Sequence, residues 1–69
     1  MKQQEFKFDL NTMINYQGQP NIIVGRAQYL SNSNKYFLQL EKDYKKDGLN
    51  FTKCTWVNEE DLSKKSIIN

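Results

Sequence analysis

Turn-forming residues interrupt this chain at close intervals, and between them lie short runs rich in β-branched and aromatic residues. The segment 15–21, "NYQGQPN", holds a glycine and the only proline; 31–34, "SNSN", is a turn by composition; 42–50, "KDYKKDGLN", contains Asp47-Gly48, a strong hairpin signal. The runs "TMINY", "NIIVGRAQYL", "KYFLQL" and "FTKCTWV" each fit a strand, and "SII" near the C-terminus fits a weaker fifth. In the third run Tyr36, Leu38 and Leu40 alternate with Lys35, Phe37, Gln39 and Glu41. In the fourth, Phe51, Lys53, Thr55 and Val57 alternate with Thr52, Cys54 and Trp56. Gly25 falls mid-run between Val24 and Arg26, where a missing side chain marks a bulge or a sharp bend at a barrel corner.

Size sets the next constraint. A chain of 69 residues has room for one domain, which buries only about 60 % of the surface its unfolded form exposes. Cores this small are usually stapled by disulfides, a metal or a partner subunit. A single cysteine, Cys54, excludes an internal disulfide, and the absence of histidine argues against zinc, so self-association gains weight by elimination. No cofactor is expected. No run approaches the length of a membrane span, and "MKQQEFKFDL" lacks the apolar stretch of a signal peptide, so the expected location is the cytoplasm. A net charge of +2 from ten basic and eight acidic side chains is too balanced to argue for nucleic acid by itself.

The stretch "CTWVNEEDL" decides between an active-site mouth and a strand end. After Val57 the chain needs its next backbone donors satisfied; Asn58 suits an N-cap, and Glu59, Glu60 and Asp61 then meet the positive end of a helical turn. Leu62 returns to the core, and "SII" closes the sheet. The expected fold is therefore all-β: a small five-stranded SH3-like barrel with a short helical turn before the last strand, a single domain over 1–69 with 1–5 and 64–69 as fraying ends.

The combination "VGRAQYL", "KYFLQL", "DG" and "WVNEEDL" resembles a pattern in small phage and prophage proteins of SH3-like type. In these a Gly-Arg-Ala-x-Tyr strand precedes a Tyr-containing strand and a closing Trp-Val-x-Glu-x-x-Leu. The resemblance covers roughly residues 5 to 62. It implies a phage-borne accessory barrel that binds a host or phage macromolecule, in the host cytoplasm. The segment "NTMINYQGQPN" departs from the pattern in a shorter, more polar first loop, and the Lys-rich 42–46 lengthens the third turn.

Catalysis finds little footing, and the chain is read as non-enzymatic. The commonest general base is missing, and Cys54 reads better as a small hydrophobe on a strand than as a nucleophile. Glu59, Glu60 and Asp61 point in different directions on one turn, which favours capping over metal binding. Gly18, Gly25 and Gly48 are isolated and build no phosphate loop. Three binding readings remain. The favoured one is a protein–protein interaction through an aromatic groove lined by Tyr16, Tyr36 and Trp56, with Arg26 placed for a bidentate contact; Trp56 as core, and Arg26 paired to Glu59 or Glu60, are the bland counterparts. The second is a nucleic-acid patch of Lys42, Tyr44, Lys45, Lys46 and Lys53, against a solvated tip with Tyr44 as a lid over the barrel end. The third is an oligomer that sequesters a nucleotide or another small ligand at a subunit interface.

Overall fold

The computed structural model describes residues 5–31 and 33–68. Four strands form one antiparallel sheet in sequence order: β1 (Met13–Tyr16), β2 (Gln19–Gln28), β3 (Asn34–Leu40) and β4 (Thr55–Asn58). One helix, α1 (Glu41–Asp47), follows β3, and three 3₁₀ turns occupy Phe51–Lys53, Glu59–Asp61 and Lys64–Ser66. The molecule is thus mostly β. Among the described residues no helix is long and apolar enough to cross a membrane.

The first hairpin closes through a tight turn. Tyr16 pairs with Gln19, leaving Gln17 and Gly18 as a two-residue turn with φ of 53° and 79°. Positive φ at both central positions gives the turn whose twist matches a right-handed ribbon. Pro20 consequently lies inside β2, opposite Asn15. The irregularity expected at Gly25 is present: the β2–β3 register shifts between Ile23 and Gly25. Gly25 faces Phe37, and a Cβ there would stand 2.5 Å from the Phe37 ring.

Three expected elements change character. The segment 41–47 is a helix where a Lys-rich hairpin tip was anticipated. Glu41 and Asp43 occupy its first turn, Lys45 and Lys46 its last, and Gly48 at φ 73° closes it with an N–H to the Tyr44 carbonyl. Acid first, base last and glycine after is the order a helix dipole and C-cap favour. Asp47-Gly48 is therefore a helix stop, not a hairpin turn. The fourth run splits: Phe51–Lys53 coil into a 3₁₀ turn capped by the Asn50 side chain, and only Thr55–Asn58 extend as β4. The expected fifth strand reduces to one bridge, Ile14 with Ile67, and a hydrogen bond from Ile68 N to the Met13 carbonyl at 2.9 Å. Of the ends expected to fray, residues 1–4 and 69 lie outside the described residues, as does Asn32 of the "SNSN" turn.

The core lies on one face of the sheet. Phe8, Ile14, Ile23, Tyr36, Leu38 and Val57 form it, with Phe6, Tyr16, Leu62 and Ile67 packed against them. The alternation read in "KYFLQL" holds: Tyr36 and Leu38 are fully buried here, and Phe37 faces the other way. An N-terminal strap covers this inner face, with Phe6 and Phe8 meeting the Tyr36 ring edge-on at 5.9 and 5.4 Å between centroids. On the outer face α1 and the segment after it cover only one end. There Gln39, fully buried, donates to the Gly48 carbonyl and accepts from Asn50 N.

Candidate functional site

Three regions of the molecule differ in burial and chemistry. The first is a sealed polar network beneath the strap. The Tyr36 hydroxyl donates to Glu59 Oε2 at 2.5 Å and accepts from the backbone N–H groups of Lys7 and Phe8 at 3.1 and 3.2 Å. Glu59 Oε2 also accepts from Lys7 N and from Asn34 Nδ2, and Asn34 reaches on to the Glu5 carbonyl. Burial first, then the hydrogen bond to the Glu59 carboxylate, pushes the Tyr36 hydroxyl up to about 12. Burial alone would raise the Glu59 carboxyl; hydrogen bonds from Tyr36, Lys7 N and Asn34, with the Lys7 charge, outweigh it and hold the group below its ordinary value. Glu59 is thus an ionised, buried carboxylate that ties the turn after β4 to the N-terminal strap. Among the described residues no buried side-chain nitrogen or oxygen lacks a partner.

This network corrects several expectations. Tyr36, anticipated in a groove, is sealed in the core. The acidic run does not act as one unit: Glu59 turns inward while Glu60 and Asp61 stay exposed. Asn58 occupies the N-cap position but makes no side-chain capping bond. No group of three or more acidic, Cys or His side chains that would suit a metal ion occurs among the described residues. Arg26 pairs with neither Glu59 nor Glu60. Its Nη1 donates to the Phe8 carbonyl at 3.2 Å and lies 3.8 Å from Asp9, with the guanidinium over the Phe6 ring. It therefore anchors the strap.

The second region is the open mouth of the inner face, a cleft of about 200 Å³ lined by Tyr16, Asn21, Leu40, Lys53 and Thr55. It brings Tyr16 and Lys53 together, on the face of the sheet opposite to that of Trp56. Lys53 is already engaged, donating to Asp47 at 2.7 Å. The remaining Lys-patch residues lie on α1, where Glu41, Asp43 and Asp47 balance Lys42, Lys45 and Lys46 in charge and Lys45 pairs with Glu41 at 3.4 Å. Tyr44 shares the lining of an open cleft with Leu10, Ile22, Val24 and Leu49. Cys54 is half-buried, its thiol pushed up by burial and directed at the Asn50 carbonyl, which disfavours a thiolate.

The third region is the bare end of the outer face. Trp56 on β4 lies opposite Phe37 on β3, and Phe51 closes on Phe37 from the 3₁₀ turn. The Phe37 ring meets Phe51 edge-to-face, at 6.4 Å between centroids and 88°, and is in direct contact with Trp56, so the three rings form one cluster. Trp56 is 55 % and Phe51 60 % exposed. Lys35, two residues from Phe37 on the same face of β3, extends over the Tyr29 ring at 5.7 Å. Phe51 and Phe37 were not singled out together from sequence, because Phe51 was placed on a strand face opposite to that of Trp56; the 3₁₀ turn rotates it onto the same side.

No protein-family model matches the chain, nor does any curated protein or solved structure.

Proposed function

We propose that this is a non-enzymatic binding domain, an SH3-like sheet that docks a protein partner through the Phe37–Phe51–Trp56 face. The carrying observation is that two exposed large aromatic side chains, Phe51 and Trp56, gather around Phe37 in one cluster, where other exposed apolar residues such as Leu30 show no such ring contacts. Such patches on small domains mark interaction surfaces, and tryptophan with its apolar body and single donor is favoured at their centres. With Lys35 as the cation on this face, the partner that fits is an apolar segment flanked by a carboxylate. This moves the aromatic contact from the groove read in the sequence to the outside of the sheet, keeping Trp56 and releasing Tyr16, Arg26 and Tyr36 to other duties. The resemblance to phage-encoded barrels supports a host or phage protein as partner, met in the host cytoplasm. The nucleotide-sequestering alternative has less support. A cleft of about 450 Å³ is lined by Lys7, Asn34, Lys35, Glu59 and Glu60, two cations against two carboxylates, so it offers a phosphate no net positive charge.

A displayed peptide library tests the proposal. Selected sequences should carry aromatic or aliphatic anchors beside Asp or Glu, and their binding should be lost in Trp56→Ser and weakened in Lys35→Glu while Lys46→Glu binds normally. Retention unchanged in Trp56→Ser would sink it. Exposed rings on a sheet also offer stacking platforms for bases. Trp56-dependent capture of an oligothymidylate, falling steeply with salt, would replace the protein partner by single-stranded nucleic acid.

A further inference from the structure

The two edges of the sheet are finished differently. The C-terminal segment covers β1 through the Ile14–Ile67 bridge and the Ile68-to-Met13 hydrogen bond. Among the described residues no strand or bridge pairs with the outer edge of β4. Its residues Thr55, Trp56, Val57 and Asn58 include no charge and no proline, the devices by which proteins usually keep an edge from pairing. Charges stand instead at its two ends, and they are opposite: Lys53 precedes the strand, and exposed Glu60 and Asp61 follow it.

The geometry points to a second copy of this chain as the occupant of that edge. Two β4 strands pair antiparallel about a twofold axis normal to the sheet, joining two four-stranded sheets into one. Residues directly opposite in an antiparallel pair share a face. Trp56 of one copy therefore meets Trp56 or Asn58 of the other, never Val57, and the outer aromatic clusters become neighbours on one continuous face. Antiparallel order also sets Lys53 of each copy beside the Glu60–Asp61 turn of the other, a self-complementary arrangement that an isologous contact requires. Lys53 keeps its Asp47 partner, since an ammonium has three donors. A parallel arrangement would place Lys53 against Lys53. The contact is short, so the pairing is weak, with a Kd on the order of 10–100 µM.

Sedimentation velocity over a concentration series up to about 1 mM tests this. The mass should rise from the 8.2 kDa of one chain toward twice that value. Thr55→Lys, which puts a charge on an exposed edge position, should weaken dimerisation by about tenfold or more. Lys53→Glu should weaken it too, and adding Glu60→Lys with Asp61→Lys should restore it; circular dichroism confirms that each variant is folded. A single-chain mass throughout the series overturns the inference, as does a dimer whose Kd ignores both Thr55→Lys and the charge reversals, or an edge protected only on adding an extended peptide. The inference is separable from the proposed function: monomeric Thr55→Lys still presents Trp56, so peptide capture and self-association fail independently.

Discussion

Tyr36 and Phe37 are neighbours in sequence and opposites in circumstance. Tyr36 points into a face covered by the N-terminal strap and has every polar contact it can use; Phe37 points out to a face that α1 covers at one end only, and finds partners in two other rings. The contrast teaches how so short a chain closes a core. A covered face tolerates a buried hydroxyl and carboxylate because strap and turn supply all their hydrogen bonds. An uncovered face gathers its apolar surface into a patch that is left for something else to cover.

The sharpest way to break this contrast is to open the covered face. Tyr36→Phe removes a hydroxyl that serves Glu59 and two backbone N–H groups, and stability should fall by about 2–3 kcal/mol in urea titration. Glu59→Gln should cost somewhat less and should also change the acid limb. Glu59 has a folded-state pKa below its unfolded value, so it contributes stability above about pH 4.5 that is lost as pH falls through the folded value; the variant should lack that loss. At the alkaline end the sign reverses. Tyr36 contributes stability that is complete below pH 10, its unfolded value, and is lost as pH rises toward about 12; Tyr36→Phe should flatten that limb.

Crowding the uncovered face comes next. Gly25→Ala drives a methyl into the Phe37 ring, which Trp56 and Phe51 hold from other sides, and should destabilise by about 1–2 kcal/mol while altering Trp56 fluorescence. Unaltered fluorescence would mean that Phe37 swings clear and the cluster is looser than described. Gly48→Ala places a side chain at φ 73° and should cost about 1 kcal/mol, read as lost helix signal in α1. Trp56→Ser should have the smallest stability effect, under about 1 kcal/mol, despite removing the largest side chain, because that side chain is half in water already.

How much of this was legible in the sequence follows from what each signal depends on. The alternation in "KYFLQL" and the glycine at 25 report local geometry, and the sheet and its bulge appear where they were expected. Asp47-Gly48 is ambiguous in isolation, since glycine at positive φ ends a helix as readily as it turns a hairpin; the order of charges before it, acidic then basic, was the deciding signal and went unread. "FTKCTWV" alternates well enough to pass for one strand, yet Asn50 caps its first half into a 3₁₀ turn and so turns Phe51 toward Phe37. The Tyr36–Glu59 bond joins residues 23 apart, and Lys7 and Phe8 are more distant still; no periodicity encodes such a meeting. Acidic residues after a strand read as a cap, while one of them was a core residue.

The central claim is that the strap covers one face of the sheet while the other is bare at one end, and the chain's single tryptophan stands on that bare end. Iodide or acrylamide quenching of Trp56 fluorescence, in dilute Thr55→Lys so that self-association plays no part, reads it directly. Ready quenching and water-like emission in the folded protein, little changed on unfolding, is the expected result; a blue-shifted emission shielded from quencher until the chain unfolds would contradict it.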